Sequence, residues 1–254
     1  MSVCAGSISS CSKDDTEENK PVVNNDGDSS NNSGGNSGDN SGGNSGGKSG
    51  ITDGHEWVDL GLPSGTLWAT CNVGASKPEE YGDYFAWGET ETKENFDWST
   101  YKYCNGSYTT MTKYCTHSTH GHFGTEDNKT ELEATDDAAT VKWGNGWQMP
   151  SDAQFNELIA NTTSEWTTEN GIKGRKITSK NNGIKIFLPG AGTFMEGTNF
   201  YGDNSGRYWS RTLHVNYPSM ARGLGISNSQ RDGIRTDSDS DRCCGQSIRP
   251  VRKQ

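Results

Sequence analysis

The first fifty residues contain no aromatic side chain, since all eight Trp, all nine Tyr and all seven Phe lie beyond Ile51. From Thr16 to Gly50 the chain is rich in Gly, Ser and Asn, with a repeated "NSGG". Such a tract cannot bury enough apolar surface to offset the entropy lost on ordering. The sequence therefore predicts an acidic leader and a disordered tether over residues 12–50, followed by one folded domain over residues 51–254.

The chain also lacks an apolar run of the ~20 residues that a membrane-spanning helix needs. The short opening stretch "MSVCAGSISSC" is small and apolar, and no Lys or Arg precedes Cys11. Its "ISSC" has the form of a bacterial lipobox, in which small residues precede the cysteine that receives lipid. We expect residues 1–11 to be a truncated lipoprotein signal with Cys11 lipidated, so that the lipid alone holds the protein on a membrane.

The residues after Cys11, "CSKDDTEE", resemble the acidic export signal of surface lipoproteins in Bacteroides-like Gram-negative bacteria. This resemblance implies an outer-membrane lipoprotein exposed on the cell surface.

The chain has fewer basic than acidic residues, 23 Lys and Arg against 33 Asp and Glu, which gives a formal net charge of -10. This balance argues against nucleic acid as a partner. The chain has no G-x-S-x-G elbow, no H-E-x-x-H pair and no glycine-rich phosphate loop. We therefore expect no catalytic residues, no enzyme activity and no cofactor.

Two clusters contain residue types that bind metal ions. Asp237, Asp239 and Asp241 have D-x-D-x-D spacing, but an EF-hand would then need Gly and Glu where Arg242 and Ile248 stand. The stretch "CTHSTHGH" places Cys115, His117, His120 and His122 close together in a Gly/Ser/Thr setting, and zinc is the alternative to a solvated loop there. We predict no metal site.

Seven cysteines are present, and a disulfide between Cys104 and Cys115 across "NGSYTTMTKY" is the pairing that an oxidising compartment would favour. Cys243 and Cys244 are adjacent and are expected to be two exposed thiols.

Short aromatic and β-branched runs bounded by Gly, Pro, Ser and Asp predict many short strands, among them "DYFAWGE", "RYWSRTL" and "ARGLGIS". Helices are predicted over "DDAATVKWG" and "SDAQFNELIANT", the second with Ser151 as its N-cap. Strands on both sides of a helical middle predict an α+β fold.

Three stretches carry a resemblance to a known family: "EWVDLGLPSGTLWATCNVGASKPEEYGDYFAWGET", "DDAATVKWGNGWQMPSDAQFNELI" and the closing "YWSR…GQSIRPVR". They resemble the Fibrobacter-type major paralogous domain over nearly all of the chain beyond Gly54. That family belongs with the C-type lectin-like and formylglycine-generating-enzyme-like folds. The resemblance implies short strands, two helices and long loops, with the domain termini together in a small sheet and the binding face on a loop-rich half.

The C-terminal third resembles the variable proteins of diversity-generating retroelements, which rewrite adenines near the end of a gene, typically in Asn codons. Such changes cannot produce Lys, Glu, Gln, Met or Trp, and none of these occurs from Arg231 to Cys244. The resemblance implies a variable segment over residues 207–244, in which side chains facing solvent form the contact surface. The predicted ligand-binding residues are Arg207, Leu213, His214, Val215, Arg222, Leu224, Ile226, Arg231, Asp232, Ile234, Arg235, Thr236, Asp237, Asp239, Asp241, Cys243 and Cys244.

The sequence thus favours a surface-displayed binding protein whose C-terminal face is diversified to recognise a protein or glycan ligand on a cell, a phage or the host. One alternative is a fixed carbohydrate-binding or adhesin module of the same fold, in which exposed tryptophans could stack on sugars. Another is a degenerate relative of the formylglycine-forming enzymes.

Overall fold

A computed structural model describes residues 48–229, 233–236 and 238–252 of the chain. In these residues the chain forms two α-helices and thirteen short strands, mostly in antiparallel sheets, which confirms the predicted α+β class. The helices are α1 (Ala138–Trp143) and α2 (Asp152–Asn161). The strands are β1 (Ser49–Thr52), β2 (His55–Asp59), β3 (Leu67–Ala69), β4 (Thr162–Glu169), β5 (Ile172–Ser179), β6 (Lys185–Pro189), β7 (Thr193–Met195), β8 (Thr198–Phe200), β9 (Ser205–Leu213), β10 (Met220–Ser227), β11 (Ile234–Arg235), β12 (Ser240–Asp241) and β13 (Val251–Arg252).

Both predicted helices form, and their caps explain where they begin. The Ser151 hydroxyl accepts a hydrogen bond from the Gln154 amide, and the Gln154 side chain accepts one from the Ser151 amide, which is a complete capping box. Phe155 and Leu158 of α2 are buried in the core. At α1 the Asp137 carboxylate accepts from the Thr140 amide, although burial raises the pKa of Asp137.

The strands form separate small sheets. In the first, β13 near the end of the domain pairs with β3, and β2 joins β3 to β1. A second sheet has the order β4-β5-β6, and β7 pairs with β8. In the last, β10 pairs with β9 along one edge and with β11 and β12 along the other; we call β9–β12 the C-terminal sheet.

Some predicted strands are wrong in extent. "DYFAWGE" is a loop with a single bridge between Phe85 and Gln246, and Phe85, Ala86 and Trp87 are all buried, without the alternation of a strand. The closing "GQSIRPV" forms isolated bridges at Gly245, Gln246 and Ser247 and a regular strand only from Val251. Strand β4 was not expected, and β1 begins inside the range assigned to the tether.

The fully described stretch between β3 and α1 is rich in loops, which are held by buried aromatic rings. Tyr114 contacts both Trp87 and Tyr103 edge to face, and Tyr103 contacts Tyr101 in the same way. These rings belong to a core cluster that also contains Trp209 of β9. The loops are therefore packed directly against the C-terminal sheet.

No helix in the described part of the chain is long and apolar enough to cross a membrane.

Candidate binding site

The register of the C-terminal sheet identifies the part of one face that is open to solvent. Arg207 of β9 lies opposite Gly225 of β10, which in turn lies opposite Arg235 of β11. Residues directly opposite one another project from the same face, so both arginines flank the glycine on one side of the sheet. The adjacent row, Gly206–Ile226–Ile234, projects from the other face toward the core.

A pocket of about 280 Å³ lies over this row of residues; we call it the arginine pocket. Gly225 belongs to its lining, together with Arg207 and Arg235 on either side. The remaining lining residues are Tyr201, Ser205, Gly206, Ile226, Ser227 and Ser238. The wall therefore combines serine hydroxyls and guanidinium groups with apolar surface and one aromatic ring.

Arg207 is held in place by neutral acceptors. One of its terminal nitrogens, Nη1, donates to Ser238 Oγ at 2.8 Å, to Ser240 Oγ at 2.9 Å and to the Asp239 carbonyl at 3.4 Å. Burial lowers the pKa of Arg207, and the charge of nearby Arg235 lowers it further. The segment 238–240 is thereby bonded to β9, while β12 joins it to β10.

A second polar cluster surrounds Asp239. Arg222 Nη1 lies 3.2 Å from Asp239 Oδ1, and His214 Nε2 lies 3.4 Å from Oδ2. Nearby, the Thr236 hydroxyl and the Asn156 side-chain oxygen of α2 are 2.7 Å apart. These contacts join β10, the loop that follows β9, and α2 at one end of the C-terminal sheet.

The structure divides the predicted ligand-binding residues by exposure. Those at least partly accessible to solvent are Arg207, Val215, Arg222, Ile234, Arg235, Thr236, Asp239 and Asp241. Those that are buried are Leu213, His214, Leu224, Ile226, Cys243 and Cys244. Arg231, Asp232, Asp237 and the predicted lipidation site Cys11 lie outside the described residues.

The expectation that all these side chains face solvent is therefore wrong at the buried positions. Leu224 and Ile226 point to the core side of β10, and Leu213 belongs to the aromatic core cluster. His214 is buried between Asp239 and the ring of Tyr217.

Cys243 and Cys244 are likewise buried, which corrects their prediction as exposed thiols. They follow β12 and pack in the aromatic cluster. The neighbouring Cys244 thiol and burial both raise the pKa of Cys243, so this thiol stays protonated.

Arg242, in the predicted variable segment 207–244, has a structural role that the sequence did not indicate. Its guanidinium is buried, and it donates to Tyr101 Oη at 2.8 Å and to the carbonyls of Pro218, Lys113 and Tyr114 at 2.8, 3.0 and 3.1 Å. It also lies 4.8 Å from the ring centre of Trp87. Arg242 thus ties the loop-rich half to the end of the C-terminal sheet.

No three His, Cys, Asp or Glu side chains converge as metal ligands within the described ranges. Cys115 is buried and its thiol lies 3.2 Å from the His117 carbonyl, whereas the Cys104 thiol lies 3.2 Å from the Trp98 carbonyl. Both are free thiols, so the predicted Cys104–Cys115 disulfide does not form.

The tryptophans considered as sugar platforms are mostly inside the protein. Trp68, Trp87, Trp143, Trp147 and Trp209 are buried, and Trp57 packs partly buried against them. The aromatic residues that do face solvent include Tyr201 at the rim of the arginine pocket and Tyr217 beside His214.

Comparison of the chain with models of protein families, with curated proteins and with solved structures found no match.

Proposed function

We propose that this protein is a surface-displayed, non-enzymatic binding protein, anchored by lipid at Cys11, whose C-terminal sheet presents a diversified contact face. The ligand is a protein or a glycan on another cell, a phage or the host. The scaffold of the proposal is a C-type lectin-like domain.

The arrangement of the sheets supports that scaffold. Strand β13 pairs with β3 in the same sheet as β1 and β2, so the two ends of the folded domain meet in one small sheet. The stretch between β3 and α1 consists of long loops and two single-turn 3-10 helices. Both features are expected of a C-type lectin-like domain.

The observation that carries the proposal is that one face of the C-terminal sheet is open around Arg207, Gly225 and Arg235, although the aromatic cluster covers the same face at Trp209. Tyr208, Leu224 and Ile226 fix the sheet on the core, while Arg207, Gly225 and Arg235 project the other way. Side chains on such an open face can be replaced without disturbing core packing, because packing constrains only the buried ones. A rigid frame with a replaceable surface is what a diversified binder requires.

The burial pattern narrows the proposal to fewer residues. The contact face comprises Arg207, Val215, Arg222, Arg235, Thr236, Asp239 and Asp241, whereas Ile234 packs against the core. Changes at Leu213, Leu224, Cys243 or Cys244 would disturb the core, so we expect selection to remove most of them.

A fixed carbohydrate-binding or adhesin module is the second candidate. It is favoured because several residues of the predicted variable segment 207–244 are buried. Continual mutation of such a segment would produce many variants that do not fold.

The test is to sequence the 3′ end of the gene, from the Arg207 codon onward, in many cells of one lineage. The codons for Leu60 to Trp87 in the same reads serve as the control. The proposal expects substitutions at template adenines, concentrated at exposed positions, beside a near-identical repeat and a reverse transcriptase gene. A uniform 3′ end without a template repeat would leave the fixed module.

A further inference from the structure

Another pocket lies between the loop that follows β3 and strand β7, and we call it the Phe96 pocket. Its volume of about 360 Å³ is within the ~300–1,000 Å³ of small-ligand pockets. Three aromatic side chains line it, those of Tyr84, Phe96 and Phe194. Every lining residue, with the chain on either side of it, is in the described range 48–229 and outside the predicted variable segment 207–244.

The rings of the Phe96 pocket are fixed by the backbone around them. The Phe194 ring meets that of Tyr84 edge to face, and the Tyr84 hydroxyl donates to the Ala191 carbonyl at 2.5 Å. Phe96 packs on Gly245, where a Cβ would lie 2.8 Å from two atoms of the ring. The Gly245 amide donates to the Phe194 carbonyl at 2.9 Å, and the Phe194 amide donates to the Gly245 carbonyl at 2.8 Å. A ligand would therefore enter a pocket that is already formed, which lowers the entropy lost on binding.

The charge at the rim of the pocket is negative. Two carboxylates, those of Asp83 and Glu94, belong to the lining, and both side chains are exposed. The basic residue of the lining is Lys93, whose ammonium lies 3.0 Å from Glu89 Oε1 and also donates to the Thr100 carbonyl. Among the described residues no Lys or Arg pairs with Asp83 or Glu94. An apolar, ring-lined pocket thus opens beside two carboxylates.

We infer that the Phe96 pocket binds an arginine side chain of a protein partner, with the stem against the rings and the guanidinium beside Asp83 and Glu94. A guanidinium is planar, stacks on aromatic rings and pairs with carboxylates, while its stem is apolar. The ammonium of Lys93 lies 5.6 Å from the centre of the Phe96 ring, so this ring already has a cation near it.

A protein is the partner that this chemistry favours. Arginine is enriched among the residues that dominate the binding energy of protein interfaces, where such residues fill preformed, desolvated pockets. The formal net charge of -10 also favours association with a basic surface. The inference goes beyond the proposed function, because this contact would be constant and would not depend on diversification of residues 207–244.

The test is calorimetric titration of the purified full chain with a blocked Gly-Arg-Gly peptide. Peptides with citrulline, lysine or norleucine in place of the arginine are titrated in parallel, as is glucosamine. Citrulline keeps the planar shape without the charge, and norleucine keeps an apolar stem alone. We expect the arginine peptide to bind about 10-fold more tightly than the citrulline and norleucine peptides, and at least about 3-fold more tightly than the lysine peptide and glucosamine.

Two variants and a control locate the binding. Asp83→Asn combined with Glu94→Gln removes both rim carboxylates and should weaken binding of the arginine peptide about 10-fold. Phe194→Leu removes one half-buried ring and should weaken it about 5-fold. Glu91→Gln is the matched control, because Glu91 is an exposed carboxylate of the same loop that pairs with Lys142 outside the pocket. The control should bind like the parent chain, and thermal unfolding shows that each variant folds.

Binding of the arginine peptide no tighter than the citrulline peptide would overturn the inference, as would equal or tighter binding of the lysine peptide or glucosamine. Unchanged affinity in the folded carboxylate double variant, or an equal loss in Glu91→Gln, would also contradict it. Neither result depends on whether the 3′ end of the gene is diversified, so this inference and the proposed function can fail separately.

Discussion

Arg235 and Arg242 belong to the same charged segment but occupy opposite environments. Arg235 is exposed at the arginine pocket, whereas Arg242 is completely buried among carbonyls and aromatic rings. The same contrast separates Val215, which is exposed, from Leu224, which is in the core. Segment 207–244 thus contains two interleaved sets of residues, one that is buried and holds the domain together and one that faces solvent. Amino-acid composition alone does not tell the two sets apart.

The sharpest test of this division is Arg242→Met, which keeps an unbranched chain but removes every donor. The carbonyls of Lys113, Tyr114 and Pro218 and the hydroxyl of Tyr101 would lose their shared partner. Because several buried acceptors lose a donor together, we expect the free energy of unfolding to fall by about 4 kcal/mol. Urea unfolding followed by tryptophan fluorescence measures it.

The matched control is Arg235→Met, which should change the free energy of unfolding by no more than about 0.5 kcal/mol. Equal losses in the two variants would mean that Arg242 is not the anchor described above.

Leu224→Ala and Val215→Ala test the same contrast for apolar residues, with a smaller expected effect. Leu224 is buried in the core cluster below β10. Its truncation should lower the free energy of unfolding by about 3 kcal/mol, because apolar surface is lost from the core and a cavity is left behind. Val215 is 46% exposed, and its truncation should cost about 0.5 kcal/mol or less. Similar unfolding midpoints in urea for both variants would show that Leu224 does not belong to the scaffold.

Two aspartates provide the smallest and most specific comparison. Asp239 pairs with Arg222 and His214, so Asp239→Asn should lower the free energy of unfolding at pH 7 by about 1 kcal/mol. Asp241 has a pKa raised by burial, which means that its charged form is disfavoured in the folded protein. Asp241→Asn should therefore stabilise at pH 7, by less than about 1 kcal/mol because solvent screens a half-buried group.

The pH dependence of the free energy of unfolding shows whether the ionised Asp241 side chain stabilises or destabilises the folded protein. A carboxyl with a raised folded-state pKa makes the native protein gain stability as the pH falls through that pKa toward the unfolded value of ~3.9. The advantage of Asp241→Asn should thus be full at neutral pH and disappear in acid. Unfolding curves at a series of pH values measure it, and an advantage independent of pH would contradict the assigned burial.

Local signals in the sequence were sufficient for some of this structure. Ser151 and Gln154 form a capping box within one turn, and the spacing of Phe155 and Leu158 places both on the buried side of α2. The Thr-rich, β-branched "TTSEWTTE" of β4 carries a comparable local signal for a strand.

The candidate site could be predicted only in part, because it depends on contacts distant in sequence. The row Arg207–Gly225–Arg235 exists through the registers of β9, β10 and β11, which no single segment determines. The burial of Arg242 requires Tyr101, Lys113, Tyr114 and Pro218 to supply its acceptors. The charged composition of this segment therefore predicts exposure throughout, although Arg242, Cys243 and Cys244 are buried.

The most direct test of the central claim is saturation mutagenesis of codons 205–244 in the full chain, displayed on yeast for the assay and scored by resistance of the folded domain to protease. We predict that Val215, Arg222, Arg235 and Thr236 accept most substitutions, whereas Leu213, Leu224, Ile226, Arg242, Cys243 and Cys244 accept few. Uniform tolerance along the segment, or intolerance concentrated at the exposed positions, would contradict the division into scaffold and contact face.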